Sequence, residues 1–199
     1  MKKYYFLFLV LISIAFQAQV TFHPGIRAGL NFAKFTESDS GFYNWMDDGD
    51  DFYGSDEKAE MSFHTDFYIG FQGNIRFSKF YALQPELNYS RQGGKVKVGN
   101  DEFTSKISYL SLQMVNKFYF EKFNLHVGPT IDTVIDDKNI NPDNKTDLGF
   151  LVGLGYDITP NFGVEARAKK GIIQVAYSNG ENHTNVLIQA GVYYTFPKK

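Results

Sequence analysis

The amino-acid sequence predicts an all-β protein that closes into one eight-stranded antiparallel up-and-down barrel. Two patterns lead to this fold class. Segments with alternating apolar and polar residues recur along the chain, and the links between them are alternately short and long. The length of 199 residues suits a single domain of ordinary size. Helical periodicity is scarce after the first 18 residues, so no competing helical fold is indicated.

Residues 1–18 have the character of a signal peptide. Lys2 and Lys3 form a short basic start, and residues 4–16 follow as an apolar run interrupted by Ser13. A run of this length fits the apolar region of a signal peptide, and it is shorter than the roughly 20 residues that a membrane-spanning helix needs. We expect cleavage after Ala18, which leaves residues 19–199 as the exported barrel domain.

Eight segments beyond the signal peptide alternate with a period of two, as half-buried strands do. In the last one, Ile188 and Val192 share an apolar face while Gln189 lies on the other face. The eight predicted strands are residues 26–35, 67–77, 81–90, 110–120, 123–132, 148–158, 162–169 and 186–196. The alternation loses its phase near Gly171, which predicts a β-bulge.

The links between the predicted strands differ in length in a regular way. Short turns are predicted at residues 78–79, 121–122 and 159–161. Longer links are predicted at residues 36–65, 92–106, 133–147 and 178–185. A meander with short turns at one end and long loops at the other is typical of barrels that cross an outer membrane. The even strand number returns the C-terminus to the side of the N-terminus.

The composition of the two strand faces favours lipid outside the barrel. Aromatic residues cluster at strand ends, as in the rings of aromatic residues at both membrane interfaces. The other face carries charges of both signs, and an eight-stranded barrel leaves an interior only wide enough for side chains. We therefore expect a transmembrane β-barrel with a polar network in its lumen. Its predicted members are Arg27, Arg76, Glu86, Lys117, Glu165 and Arg167.

Several stretches form a set of motifs that covers nearly the whole exported domain: residues 25–32, 80–93, 109–120, 127–129, 151–156 and 189–196. The most specific is Leu83-Gln-Pro-Glu-Leu-Asn-Tyr-Ser90. With these motifs the chain resembles the porin-like and PorT-like outer-membrane β-barrel proteins of the Bacteroidota. The resemblance implies an outer-membrane location and an eight-stranded barrel, and it implies no particular activity. Residues 111–115 and the C-terminal Pro-Lys-Lys depart from the family pattern.

The composition excludes several classes of function. The chain has no cysteine, which excludes disulfides, cysteine zinc sites, Fe–S clusters and thiol nucleophiles. Its 20 basic and 22 acidic residues lack the basic surplus of a nucleic-acid binder. The four histidines lie in different segments without the spacing of a metal pair. We therefore expect no enzyme activity and no cofactor.

The first long link is strongly acidic. Between residues 37 and 60 it holds nine acidic residues and one basic residue. Asp47, Asp48, Asp50 and Asp51 offer the hard oxygen ligands that Ca²⁺ takes, although they lack the spacing of an EF-hand. A solvated acidic loop is the alternative interpretation.

Taken together, these features predict a membrane-embedded scaffold or interaction protein with a plugged polar lumen and extracellular loops. Its expected partners are outer-membrane lipid and a protein on the extracellular or periplasmic side. Three alternatives stay open at this point: a narrow porin-like pore for small solutes, a soluble lipocalin-like ligand-binding barrel, and a barrel enzyme.

Overall fold

The structure, a computed structural model, describes residues 20–37, 59–98, 101–138, 144–173, 176–178 and 181–197. The strands are Thr21–Glu37 (β1), Ala59–Arg76 (β2), Tyr81–Val98 (β3), Asp101–Phe120 (β4), Phe123–Lys138 (β5), Thr146–Asp157 (β6), Phe162–Gly171 (β7), Ala176–Ser178 (β8) and Glu181–Thr195 (β9). The described ranges contain no helix long and apolar enough to span a membrane.

The strands form one closed antiparallel sheet. Neighbours in the chain pair with each other from β1 to β7, β7 pairs with β9, and β9 pairs back with β1. The short β8 continues the line of β7 along β9, because Lys170 is opposite Val186 and Ala176 is opposite His183. The barrel therefore has eight strand positions around its circumference, which confirms the fold predicted from the sequence. The sequence predicts a β-bulge near Gly171; the structure instead ends β7 at Gly171 and begins a separate strand, β8, at Ala176.

The strands extend further than their alternating pattern indicates. β3 and β4 stay paired from Tyr81 opposite Phe118 to Val98 opposite Asp101. The link predicted at residues 92–106 is therefore mostly a β-hairpin, and β5 likewise runs on to Lys138. A transmembrane strand needs about 9–11 residues, whereas β4 has 20. Outside the membrane, backbone hydrogen bonds still join the neighbouring strands, but the outer face of the barrel no longer has to be apolar.

The three short turns lie at one end of the barrel, called here the short-turn end. In the first, Ser78 Oγ accepts hydrogen bonds from the backbone N–H groups of Phe80 and Tyr81 at 3.2 and 3.1 Å. In the third, Thr159 Oγ1 accepts one from the N–H of Phe162 at 3.0 Å. Glu121 in the second turn has φ of 57°. Short turns face the periplasm in outer-membrane barrels, which orients this end.

The burial pattern is the reverse of that in a soluble protein. Alternate residues of β2 show this directly: Phe71 is 69% exposed, while its neighbour Gln72 is 4% exposed. On β1, Ile26 is exposed and Arg27 is buried. The apolar face therefore lies outside and the polar face lines the lumen, an arrangement suited to surrounding lipid.

Aromatic side chains pack against each other around the short-turn end. Their ring centroids lie 4.9–5.8 Å apart in four pairs: Phe77–Tyr81, Tyr81–Phe118, Phe123–Tyr156 and Tyr194–Phe196. The Tyr81 hydroxyl also donates to Asn116 Oδ1 at 2.8 Å, which gives this polar residue on the outer face a partner. Rings with one polar end are suited to the membrane–water interface.

The depth of an outward-facing side chain in the membrane determines how much a charge at that position lowers the unfolding free energy. We expect Phe71→Lys, in the middle of the apolar band, to lower the unfolding free energy in lipid vesicles by about 2–4 kcal/mol. Phe80→Lys is the matched control, because Phe80 is 60% exposed at a short turn; we expect it to cost about 1 kcal/mol or less. Denaturant titrations followed by gel mobility measure both. Equal costs at the two positions would contradict a lipid-facing outer surface.

Candidate functional site: an ion-pair cluster in the lumen

Four charged side chains from three strands meet in the lumen: Arg27 of β1, Glu86 of β3, and Glu165 and Arg167 of β7. We call them the central cluster. In the order of strands around the barrel, β3 and β7 are separated by three strands on each side, and so they lie opposite each other. Contacts between Glu86 and Arg167 therefore cross the full width of the lumen.

Each arginine in the central cluster contacts both glutamates. Arg167 donates from Nη1 and Nη2 to the two carboxylate oxygens of Glu86, both at 2.8 Å. Its Nη2 also lies 2.9 Å from Glu165 Oε2. Arg27 donates from Nε to Glu165 Oε1 at 3.0 Å, and its Nη1 donates to Glu86 Oε2. The four side chains thus form one closed set of ion pairs.

The charges of the central cluster cancel, two against two. The side chains are 0–1% exposed. A charge withdrawn from water is tolerated only when it is paired and its other polar atoms have hydrogen bonds. Bidentate arginine–carboxylate geometry is among the strongest pairings available, so every charge of the cluster is paired within the barrel. Glu165 Oε2 has its ion-pair contact with Arg167 but no hydrogen-bond partner within the described ranges.

Neutral polar side chains add further hydrogen bonds to the two carboxylates. The Tyr68 hydroxyl donates to Glu165 Oε1 at 3.0 Å, and Gln84 Nε2 donates to Glu86 Oε1 at 2.7 Å. The Gln113 carbonyl lies 3.4 Å from Arg167 Nη1 as an additional acceptor. The hydrogen bonds from Tyr68 and Gln84 hold the two carboxylates in one orientation.

His126 belongs to the same network as a neutral ring. Arg167 Nε donates to His126 Nδ1 at 3.0 Å, so Nδ1 carries no proton. The proton is on Nε2, which donates to Asn124 Oδ1 at 2.5 Å. The arginine thereby selects the tautomer of the ring.

Glycines on the lumen face make room for these large side chains. A Cβ atom at Gly191 would lie 2.2 Å from the Tyr68 hydroxyl oxygen, and one at Gly153 would lie 2.6 Å from Arg167 Cγ. Both distances are too short for any side chain. Glycine at these two positions therefore leaves room for Tyr68 and Arg167.

A second polar group lies further from the short-turn end. Asp132 and Asp147 are directly opposite each other on β5 and β6, and both are buried. Lys169 of β7 forms an ion pair with Asp132. Asp147 Oδ1 accepts a hydrogen bond from the N–H of Ile173 at 3.2 Å. The lumen is thus filled by polar side chains on this side of the central cluster too.

The six residues predicted for the lumen network do not all meet. Arg27, Glu86, Glu165 and Arg167 form the central cluster. Lys117 is buried toward the short-turn end, with its ammonium 4.4 Å from the ring centroid of Tyr193. Arg76 lies at the rim of that end, apart from the cluster. The predicted Ca²⁺ ligands Asp47, Asp48, Asp50 and Asp51 fall outside the described residues, and that site stays a prediction.

Sequence reasoning did not include Tyr68, Gln113 or Lys169 among the site residues. The alternation places all three on the lumen face, because each lies an even number of residues from a polar residue on that face, but it does not show which charged groups they contact. Tyr68, for example, is four residues from Gln72. Only the structure shows that its hydroxyl reaches Glu165 across the lumen.

The closed barrel with an apolar exterior and a charged interior defines a transmembrane β-barrel. The chain belongs to the family described as outer membrane protein beta-barrel domain, which it matches over residues 17–198. The outer membrane is therefore its location. No sequence among the curated proteins matches this chain.

Solved outer-membrane proteins are similar to this chain at low sequence identity. Neisserial surface protein A is 15% identical with a TM-score of 0.50, over 87% of this chain and 97% of that one. OprG from Pseudomonas aeruginosa is 12% identical with a TM-score of 0.48, over 92% and 99%. Ail from Yersinia pestis is 13% identical with a TM-score of 0.46, over 87% and 98%. At this identity, the likeness to Neisserial surface protein A shows a shared fold alone.

The central cluster predicts strong energetic coupling between its members. Arg167→Met leaves Glu86 and Glu165 with one cation, and Glu86→Gln leaves the arginines with one anion. We expect each single change to lower the unfolding free energy by about 3–5 kcal/mol.

The double variant is the control for this prediction. It removes one charge of each sign, so we expect its cost to fall below the sum of the two single costs by about 1–3 kcal/mol. Unfolding in detergent micelles measures all three. Additive costs would mean that these charges do not depend on each other.

Proposed function

We propose that the protein is a closed outer-membrane scaffold that holds extracellular hairpins and loops for interaction with another protein. The observation that carries this proposal is the ion pairing between Glu86 and Arg167, which spans the lumen from β3 to β7. A barrel sealed in this way anchors its loops in the membrane and transports nothing through its centre.

The energetics of the central cluster oppose a pore. Eight strands leave an interior that side chains fill. Opening a path would separate buried ion pairs, and leaving a buried charge without its partner costs about 3–5 kcal/mol. At this cost an open state would be a small minority of the population.

The extracellular side offers the surface for an interaction. The paired part of β3 and β4 reaches Val98 and Asp101, well beyond the length needed to cross lipid. Residues 37–60 add a segment with nine acidic residues and one basic residue. A protein partner with a basic surface would suit this charge.

The geometry of the cluster also supports a non-enzymatic role. Both carboxylates are held by two guanidinium groups, so neither Glu86 nor Glu165 is available as a general acid or base. His126 has both ring nitrogens occupied. We accordingly infer a structural role for the polar network.

Two finer assignments rest on sequence alone. We infer that residues 1–18 are the export signal, because a basic start precedes a short apolar run. We also infer membership of the porin-like group of the Bacteroidota, supported by the motif at residues 83–90.

Planar-bilayer recording tests the closed lumen. We expect the purified protein to insert and to give no steady single-channel steps, with a known porin in the same bilayers as the positive control. Insertion is checked separately by the change in gel mobility on heating. Steady steps whose size changes in Glu86→Gln or Arg167→Met would establish the small-solute pore instead.

A further inference from the structure

A cavity of about 240 Å³ lies between the central cluster and the short-turn end. Turn residues Pro160 and Asn161 form part of its wall, so it opens toward the periplasm, and the buried Lys117 lies on its wall toward the central cluster. Its charged and aromatic lining residues are His23, Arg76, Lys117, Tyr119, Asp157 and Tyr193.

The Lys117 side chain is buried on the cavity wall and has no hydrogen-bond acceptor in the part of the chain that the structure describes. The residue is 2% exposed, and its ammonium lies 4.4 Å from the ring centroid of Tyr193 and 5.6 Å from that of Tyr119. The ring faces attract the cation, but an ammonium group has three N–H donors that call for acceptors. Among the described residues, no carboxylate oxygen lies within 4.0 Å of Lys117 Nζ. A ligand bound in the cavity can supply a hydrogen-bond acceptor for this ammonium group.

Arg76 is the second cation on the cavity wall. Its guanidinium carbon lies 3.9 Å from the ring centroid of Tyr119. Nε donates to the carbonyl of Ser78 at 3.3 Å, and Nη2 donates to that of Lys79 at 3.2 Å. These neutral partners hold the guanidinium in place without cancelling its charge.

Asp157 is the one acidic side chain in the cavity lining, and neutral donors already bind it. Its Oδ1 accepts hydrogen bonds from the Tyr193 hydroxyl and from Asn124 Nδ2, the latter at 3.4 Å. The lining also carries two cations, Lys117 and Arg76, so its net charge is positive. A positive cavity with two tyrosine rings in its lining favours an anion with a compact apolar body.

We propose that this cavity binds a small organic carboxylate from the periplasm. The carboxylate accepts hydrogen bonds from Lys117 and Arg76, and the body of the ligand packs on the rings of Tyr119 and Tyr193. The volume is just below the roughly 300 Å³ at which pockets for drug-sized ligands begin, so the ligand is a smaller molecule. The site lies on the periplasmic side of the central cluster. Its binding of a carboxylate does not depend on the proposed scaffold function.

Calorimetric titration of the purified full-length protein in detergent micelles tests this proposal, with benzoate as the probe. We expect saturable binding of benzoate with a dissociation constant near or below about 1 mM. Lys117→Met should weaken it at least about tenfold, because a charge-assisted hydrogen bond is lost. Arg76→Gln, at the exposed rim, should weaken it by a smaller factor and leaves the interior intact.

Two controls separate this site from general charge effects. Lys122→Met removes the same charge from an exposed turn at the same end of the barrel, and we expect it to leave benzoate binding unchanged. Benzylamine has a similar ring with the opposite charge, and we expect it not to bind. Heat-modifiable migration on gels confirms that each variant is folded.

The proposal is overturned if benzoate gives no saturable heat with the wild-type protein. It is also overturned if Lys122→Met weakens binding as much as Arg76→Gln does, or if benzylamine binds as tightly as benzoate. Should Lys117→Met fail to fold, the comparison of Arg76→Gln with Lys122→Met still decides the outcome.

Discussion

In the middle of the barrel, two guanidinium groups and two carboxylates share one set of hydrogen bonds, with side chains that are 0–1% exposed. Eight strands in lipid enclose a space that side chains alone can fill, and charges placed there must find partners across it. Neighbouring lumen residues support this pairing. Tyr68 and Gln84 complete the carboxylate contacts, and Gly153 leaves room for Arg167.

The central cluster also divides the lumen into two unlike parts. Toward the extracellular side, the ion pair of Lys169 with Asp132 continues the polar filling. Toward the periplasm, the filling ends at Lys117 and a cavity begins. In the proposed role, this division lets one narrow barrel be closed to transport and still offer a polar binding surface. Outside, the apolar and aromatic face adapts the same strands to lipid.

The alternation of residue types predicted the strands and their number, because both depend on local period-two geometry. The composition of the two faces, with charges on one and aromatic strand ends on the other, predicted which face meets lipid. The alternation also placed Arg27, Glu86, Glu165 and Arg167 on the lumen face. It could not show which of them touch, since height in the lumen depends on the stagger of strands around the barrel. Arg76 is on the same lumen face as these four residues, but it lies at a different height along the barrel axis. The hairpin within residues 92–106 escaped prediction because its backbone pairing continues where the apolar pattern stops.

The central claim is that polar side chains face the lumen and apolar ones face lipid. The chain has no cysteine, so single cysteines carrying a nitroxide spin label can be introduced along β2 and measured in lipid vesicles. Dissolved oxygen concentrates in the apolar part of a bilayer. We expect labels at Ile69 and Phe71 to collide often with oxygen, and labels at Tyr68 and Gln72 to collide rarely. Equal collision rates along the strand, or a higher rate at Gln72 than at Phe71, would contradict this account.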